Sequence, residues 1–147
     1  MIGLNDLLLH NADKPDIVAE CAQKAKKSGE YLVSIINDVL DLSRIECGKL
    51  RLSQKAFDMK ELLETVVQLE EYPAAEKALN FRLDCPENFH RGFLGDEVRI
   101  KQCLINLVSN AIKFTPEQGT VTLTYREQTE SGGYTKAYFA VEDTGIG

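Results

Sequence analysis

The spacing of apolar residues changes several times along this chain, and each change marks an element. Residues from about 1 to 11, where Ile2, Leu4, Leu7, Leu8 and Leu9 dominate, read as the tail of a helix that Asn11-Ala12-Asp13-Lys14-Pro15 ends. Pro15 suits the first turn of a second helix, with Asp13 as the candidate cap. That second helix is long and stops near Cys47-Gly48, where glycine can take the left-handed turn that closes a helix. Its apolar residues follow a heptad: Val18, Ala25, Leu32 and Val39 fill one position, and Cys21, Ser28, Ile35 and Leu42 the other, with Ser28 alone breaking the pattern. Ala22 and Ile36 widen the stripe beyond a two-stranded seam, as in a four-helix bundle. Such a stripe also suits an ordinary domain core, but only a short first helix is at hand to cover it. One hairpin cannot bury both faces and two copies can, so the pattern predicts a homodimer through residues 1–47.

After Gly48 the period shortens. Lys49-Leu50-Arg51-Leu52-Ser53 alternates like a strand. Phe57-Asp58-Met59 leads into a helix whose inner face is Leu62, Leu63, Val66, Val67 and Leu69, and which Pro73 bends or ends. Leu79 to Cys85 alternates again, and Phe93-Leu94 suits a very short strand. Asp96 opens a helix to about Phe114. Thr120 to Tyr125 is a strand rich in β-branched residues, Ser131-Gly132-Gly133 makes a turn, and Lys136 to Glu142 returns antiparallel. The boundary between helical and mixed parts falls near residues 47–56.

Composition narrows the function. The 147 residues are 44% hydrophobic and 27% charged with a net charge of -6, so the chain should fold and lacks the basic face that nucleic acid or an anionic membrane requires. The four cysteines form no C-x-x-C pair and none has a histidine at zinc-ligand spacing. Cys21 and Cys103 fall on apolar helix faces, where free thiols pack as small hydrophobes. A reducing, cytoplasmic compartment fits best. No run is long and apolar enough to span a bilayer, so no direct membrane contact is expected here, although an anchor could lie upstream in a longer parent.

The helix opened by Asp96 carries the chemistry. At about 100° per residue, Arg99, Gln102, Asn106, Asn110 and Lys113 fall within an arc of roughly 80°. Ile100, Leu104, Leu107, Val108 and Ala111 fall on the other side. A carboxamide oxygen is a hard, neutral ligand suited to a magnesium ion that keeps several waters and bridges phosphates, and Lys113 can neutralise phosphate charge. A solvated polar face would look the same, so the helix alone decides nothing. The last five residues, Asp143-Thr144-Gly145-Ile146-Gly147, change that balance. Alternation puts Asp143 on the side of Phe139 and Val141, where a carboxylate needs a partner such as the exocyclic amine of adenine. Gly145 and Gly147 allow a tight turn and close approach to a ligand. Asp-x-Gly-x-Gly alone is a weak signal. Preceded across a hairpin by Asn-x-x-x-Asn-Ala-x-Lys-Phe-Thr about thirty residues earlier, it becomes strong.

These residues give the chain a resemblance to the sensor histidine kinases of two-component signalling. Asp96 to Gln102, continuing through Asn106 to Thr115-Pro116, resembles that family's N box, and Asp143 to Gly147 its G1 box. Ile2 to Leu9 resembles the stretch after the H box, and Ile36 to Glu46 the end of the second dimerisation helix. The resemblance implies an α+β fold: a helical hairpin, half of a dimeric four-helix bundle, over residues 1–47, followed over 48–147 by a truncated α/β sandwich of the histidine kinase ATPase type. It implies ATP and Mg2+ as cofactors, Asn110 as the metal ligand, Asn106 as support for the metal and phosphates, and Lys113 on phosphate. Phe114 would lie against the nucleoside, Asp143 would read the adenine amine, and Gly145 and Gly147 would begin the lid. The partners implied are a second copy and the receiver domain of a response regulator.

Two parts of the family pattern are absent from the sequence. The acceptor histidine, in His-Glu-x-x-Arg-Thr-Pro, belongs roughly three helical turns before Gly3, and the rest of the lid and the second glycine-rich box belong after Gly147. The chain is therefore expected to be a core fragment, inactive by itself. His10 and His90 read as ordinary surface or turn residues, leaving no catalytic residue to assign. Two alternatives stand beside the kinase. A gyrase- or chaperone-type hydrolase would carry a glutamate where this chain has Asn106, and a neutral amide cannot serve as that base. The other is a dimerisation scaffold that has lost nucleotide binding.

Overall fold

The computed structural model describes residues 14–49, 51–130 and 134–145. The predicted first helix, Leu50, the Ser131–Gly133 turn and Gly147 lie outside the described residues. The chain divides into two compact units, Met1–Arg51 and Leu52–Gly147.

In the first unit, helix α1 spans Pro15–Glu46, with Lys14 rather than Asp13 at the N-cap and proline at its first position, where a missing N–H costs nothing. It ends as expected: Gly48 has φ +62°, its N–H donates to the Ile45 carbonyl and that of Lys49 donates to Arg44. Of the heptad residues, Cys21 is buried, while Leu32, Ile35, Val39 and Leu42 are exposed.

The second unit begins with a correction. Of the alternating stretch 49–53, the described residues Lys49 and Arg51 to Ser53 are in no strand; β1 is Lys55–Asp58. A strand needs a partner, and the partner here is short. β3, Gly92–Gly95, pairs antiparallel with β1 from Asp58↔Gly92 to Lys55↔Gly95, then gives way to the next helix. Ser53 instead donates its N–H to Asp96 Oδ2 at 2.9 Å. Asp58 caps helix α2, Met59–Glu76, accepting from the N–H groups of Lys60 and Glu61, and Arg91 pairs with it. The helix runs through Pro73 for another turn, because Ala74 beyond it is buried in the core. Its inner face also departs from expectation: Leu69 is exposed and Glu70 is buried. Positions 66, 70 and 74 repeat at four-residue spacing, and Leu69 lies to one side of that line.

β2 (Asn80–Asp84), β4 (Thr120–Thr129) and β5 (Thr135–Asp143) form a three-stranded sheet in the order β2-β4-β5. β2 and β4 run parallel, and helix α3, Glu97–Phe114, lies in the crossover between them; β4 and β5 form an antiparallel hairpin longer than predicted. Met59, Leu62, Leu63 and Val66 of α2, Leu104, Val108, Ala111 and Ile112 of α3, and Val121, Leu123 and Tyr125 of β4 make one core. Both helices thus cover one sheet face. The other face is polar: Arg82 donates to Thr122 Oγ1, and Arg126 pairs with Asp84.

Candidate functional site

Helix α3 forms because its apolar residues recur at helical spacing and Asp96 caps it, accepting the Arg99 N–H. Its burial splits the faces as required: Leu104, Val108, Ala111 and Ile112 are buried, while Asn106, Asn110 and Lys113 are exposed. Two sequence assignments fail. Leu107 is 53% exposed, and Cys103, one turn earlier, is exposed as well. The buried arc is centred on Leu104 and Val108. Leu107 and Cys103 lie past its margin, on the side of Asn110. Within the polar face, Arg99 donates to Gln102 Oε1 at 2.9 Å. The carboxamides of Asn106 and Asn110 make no hydrogen bond among the described residues. Lys113 Nζ stands 5.1 Å from the centroid of the Phe114 ring, which is itself exposed.

The C-terminal motif meets this helix at its end. Asp143 pairs with Val121, a fully buried core residue, and directly opposed residues point to the same side of a sheet. Asp143 therefore lies on the helix-bearing face, but at the rim, where its carboxylate is exposed. Oδ1 accepts the Gly145 N–H at 2.8 Å. A Cβ on Gly145 would stand 2.8 Å from the Phe114 carbonyl oxygen, so only glycine lets this strand end press against the end of α3. The amide-bearing helix and the Asp143 turn are consequently neighbours, and Asn106, Asn110, Lys113, Phe114, Asp143 and Gly145 all lie on the elements that meet there. Gly147 lies outside the described residues.

Sequence reading missed the joint that holds these parts. Thr144 donates its N–H to the Thr120 carbonyl and accepts the Thr120 N–H through Oγ1. Gly119 sits beneath, where a Cβ would be 2.3 Å from Thr115 Cγ2 and 2.9 Å from Thr144 Oγ1. The loop after α2 joins through Gln118 N–H to the Ala78 carbonyl, Asn80 N–H to the Gly119 carbonyl, and Lys77 Nζ to the Ile112 and Lys113 carbonyls. Ala78 and Gln118 take positive φ to do so. The Gln-Gly pair after α3 hinted at a turn; nothing in the sequence singled out Lys77.

Among the described residues, no group of three or more His, Cys, Asp or Glu converges. The donor set instead suits a magnesium ion that takes few protein ligands and keeps water and phosphate oxygens. His90 is an exposed loop residue with a carboxylate partner. Its Nδ1 lies 2.8 Å from Glu127 Oε1, and Tyr125 OH donates to Oε2 of the same carboxylate at 3.1 Å. Burial works to raise the Glu127 pKa, but the hydrogen bonds from His90 and Tyr125 outweigh it and hold the carboxylate low. This cluster borders a hollow of about 770 Å³ lined by Ala56, Phe93, Leu94, Thr129 and Tyr134, at the opposite end of the β4–β5 hairpin from Asp143. No described helix is long and apolar enough to cross a membrane.

Comparison with known proteins gives this arrangement its class. Residues 95–147 match the family of histidine kinase-, DNA gyrase B- and HSP90-like ATPases. The chain is 37% identical over 150 residues to the circadian input-output histidine kinase CikA of Synechococcus elongatus, an alignment covering all of this chain and 19% of that protein. Among solved structures, the histidine kinase AdeS of Acinetobacter baumannii superposes with TM-score 0.72 at 26% identity, over 98% of this chain and 69% of AdeS. Full-length ShkA in complex with AMPPNP superposes with TM-score 0.69 at 33% identity, over 97% of this chain and 29% of ShkA. The second unit thus has the fold and motifs of an ATPase domain of this class. Within it, the chain belongs to the sensor histidine kinase family. It spans about a fifth or less of the length of the curated relatives it matches.

Proposed function

We propose that this chain is the core of a sensor histidine kinase, with a dimerising helical part over residues 1–47 and an ATP-binding part over residues 48–147. The observation that carries the reading is the contact of Gly145 with the Phe114 carbonyl, which sets a carboxylate suited to an amino-purine beside a helix face suited to a metal polyphosphate. In this reading Asp143 accepts from the adenine amine and Phe114 lies against the nucleoside. Asn110 holds the magnesium ion with support from Asn106, Lys113 meets phosphate, and Gly145 and Gly147 begin the lid. Bound magnesium would neutralise charge on the β- and γ-phosphates. Phosphoryl transfer depends mainly on positioning and charge neutralisation, so a site of amides and one ammonium is adequate to it. In this reading the γ-phosphoryl group passes to a histidine and then to an aspartate on a response regulator. Homodimerisation is supported by the exposed apolar residues of α1, and a cytoplasmic setting by the four free cysteines.

The full-length gene product incubated with labelled ATP and magnesium should acquire acid-labile phosphate on histidine. The 147 residues alone should acquire none, on His10 or His90 in particular. Release of inorganic phosphate without labelling of the full-length protein would favour the hydrolase reading instead. Asn106, where those enzymes carry a base, argues against that outcome.

A further inference from the structure

The turn after α2 reaches across to the end of α3, and the reach is made by one side chain. Lys77 is the C-cap of α2, and its Nζ donates to the Lys113 carbonyl at 2.7 Å and to the Ile112 carbonyl at 3.0 Å. The last carbonyls of a helix have no partner within it and carry the negative end of its dipole, so an ammonium there both satisfies and stabilises them. Backbone bonds brace the same place: Gln118 N–H to Ala78 and Asn80 N–H to Gly119. The Lys113 carbonyl belongs to the residue whose side chain is assigned to phosphate, and the next carbonyl, that of Phe114, is the one against which Gly145 packs. The α3 C-terminus is therefore held from outside the nucleotide site.

We infer that Lys77 is a positioning residue for nucleotide binding, fixing the last turn of α3 so that the Lys113 ammonium meets the nucleotide in one geometry. The inference rests on the nucleotide reading above. Lys77 touches no nucleotide itself; it acts through Lys113. Removing its ammonium leaves the exposed Lys113 carbonyl to water and the half-buried Ile112 carbonyl without its cationic donor, which loosens the last turn and lets the Lys113 ammonium wander from the phosphates.

The test is a double-mutant cycle on the full-length gene product, with Mg-ATP affinity measured by calorimetry well below the unfolding temperature. Lys77→Met should weaken binding about five- to tenfold, the scale of losing charge-assisted hydrogen bonds at a helix end. In a Lys113→Met background the same change should cost less than about twofold, because coupled residues are not additive. Lys77→Arg should restore affinity to within about threefold, since a cationic donor is kept. Should Lys77→Met fail to fold, Lys77→Gln, whose shorter amide cannot serve both carbonyls, carries the same comparison. Unchanged affinity in the single variant, or an equal loss in both backgrounds, would show a purely structural role and overturn the inference while leaving the nucleotide reading intact. Wild-type protein that does not bind Mg-ATP would overturn that reading, and this inference with it.

Discussion

Asp143 and Gly145 form a short turn at the end of β5, and the proposed nucleotide reading gives that turn a recognition role. Asp143 Oδ1 is committed to the Gly145 N–H, which fixes the carboxylate against its own turn and leaves the second oxygen to accept from a ligand. Neighbouring residues keep that turn in place. Thr144 is tied to Thr120 on both its N–H and its hydroxyl, and Gly119 makes room for it. Asp143→Ala should therefore leave the hairpin folded and weaken Mg-ATP binding by about 1.5–3 kcal/mol, the worth of a hydrogen bond to a charged group. Calorimetry on the full-length protein measures it, and undiminished affinity would remove Asp143 from the site. At this scale the candidate residues stand out in the sequence, because carboxamides one turn apart and glycines after a strand-ending acid are unusual chemistry in regular places. The joint beneath them does not. Lys77, Gly119 and Thr144 act through contacts with residues distant in sequence, and no local pattern records such contacts.

Among the elements, helices were easier to read than strands. α3 was predicted almost to its bounds because its cap, its apolar period and its polar face agree. The stretch 49–53 misled because alternation marks a strand only where a partner exists, and β3 pairs with residues 55–58 instead. α2 misled at its margin, where Leu69 faces solvent and Glu70 does not. Glu70 lies between Val66 and Ala74 on the packed face, and burial raises its pKa above the ordinary carboxyl value of 4.5. A carboxyl whose folded pKa is raised stabilises the fold fully below its unfolded value. That stability is lost as pH rises through the folded pKa, because the buried group must ionise there. Glu70→Leu should therefore raise stability more near pH 7 than near pH 4, since only at the higher pH does the wild-type carry an ionised buried carboxylate. Urea unfolding at the two pH values checks this, and a gain of equal size at both would contradict it.

For the whole molecule, the division into a helical unit and a mixed unit follows the change of period near Gly48, and the second unit has the fold of the ATPase class named above. What sequence alone conveyed about the first unit was a stripe without a cover. Leu32, Ile35, Val39 and Leu42 are exposed along α1, the surface that the proposed homodimer would bury. The account as a whole depends on α3 and the Asp143 turn serving one ligand. The most direct measurement is a Mg-ATP titration of the full-length protein labelled on asparagine and glycine, followed by nuclear magnetic resonance. The side-chain amides of Asn106 and Asn110 and the backbone amide of Gly145 are predicted to shift together along a single binding isotherm. Movement of one group without the other, or two isotherms with different midpoints, would contradict a shared site.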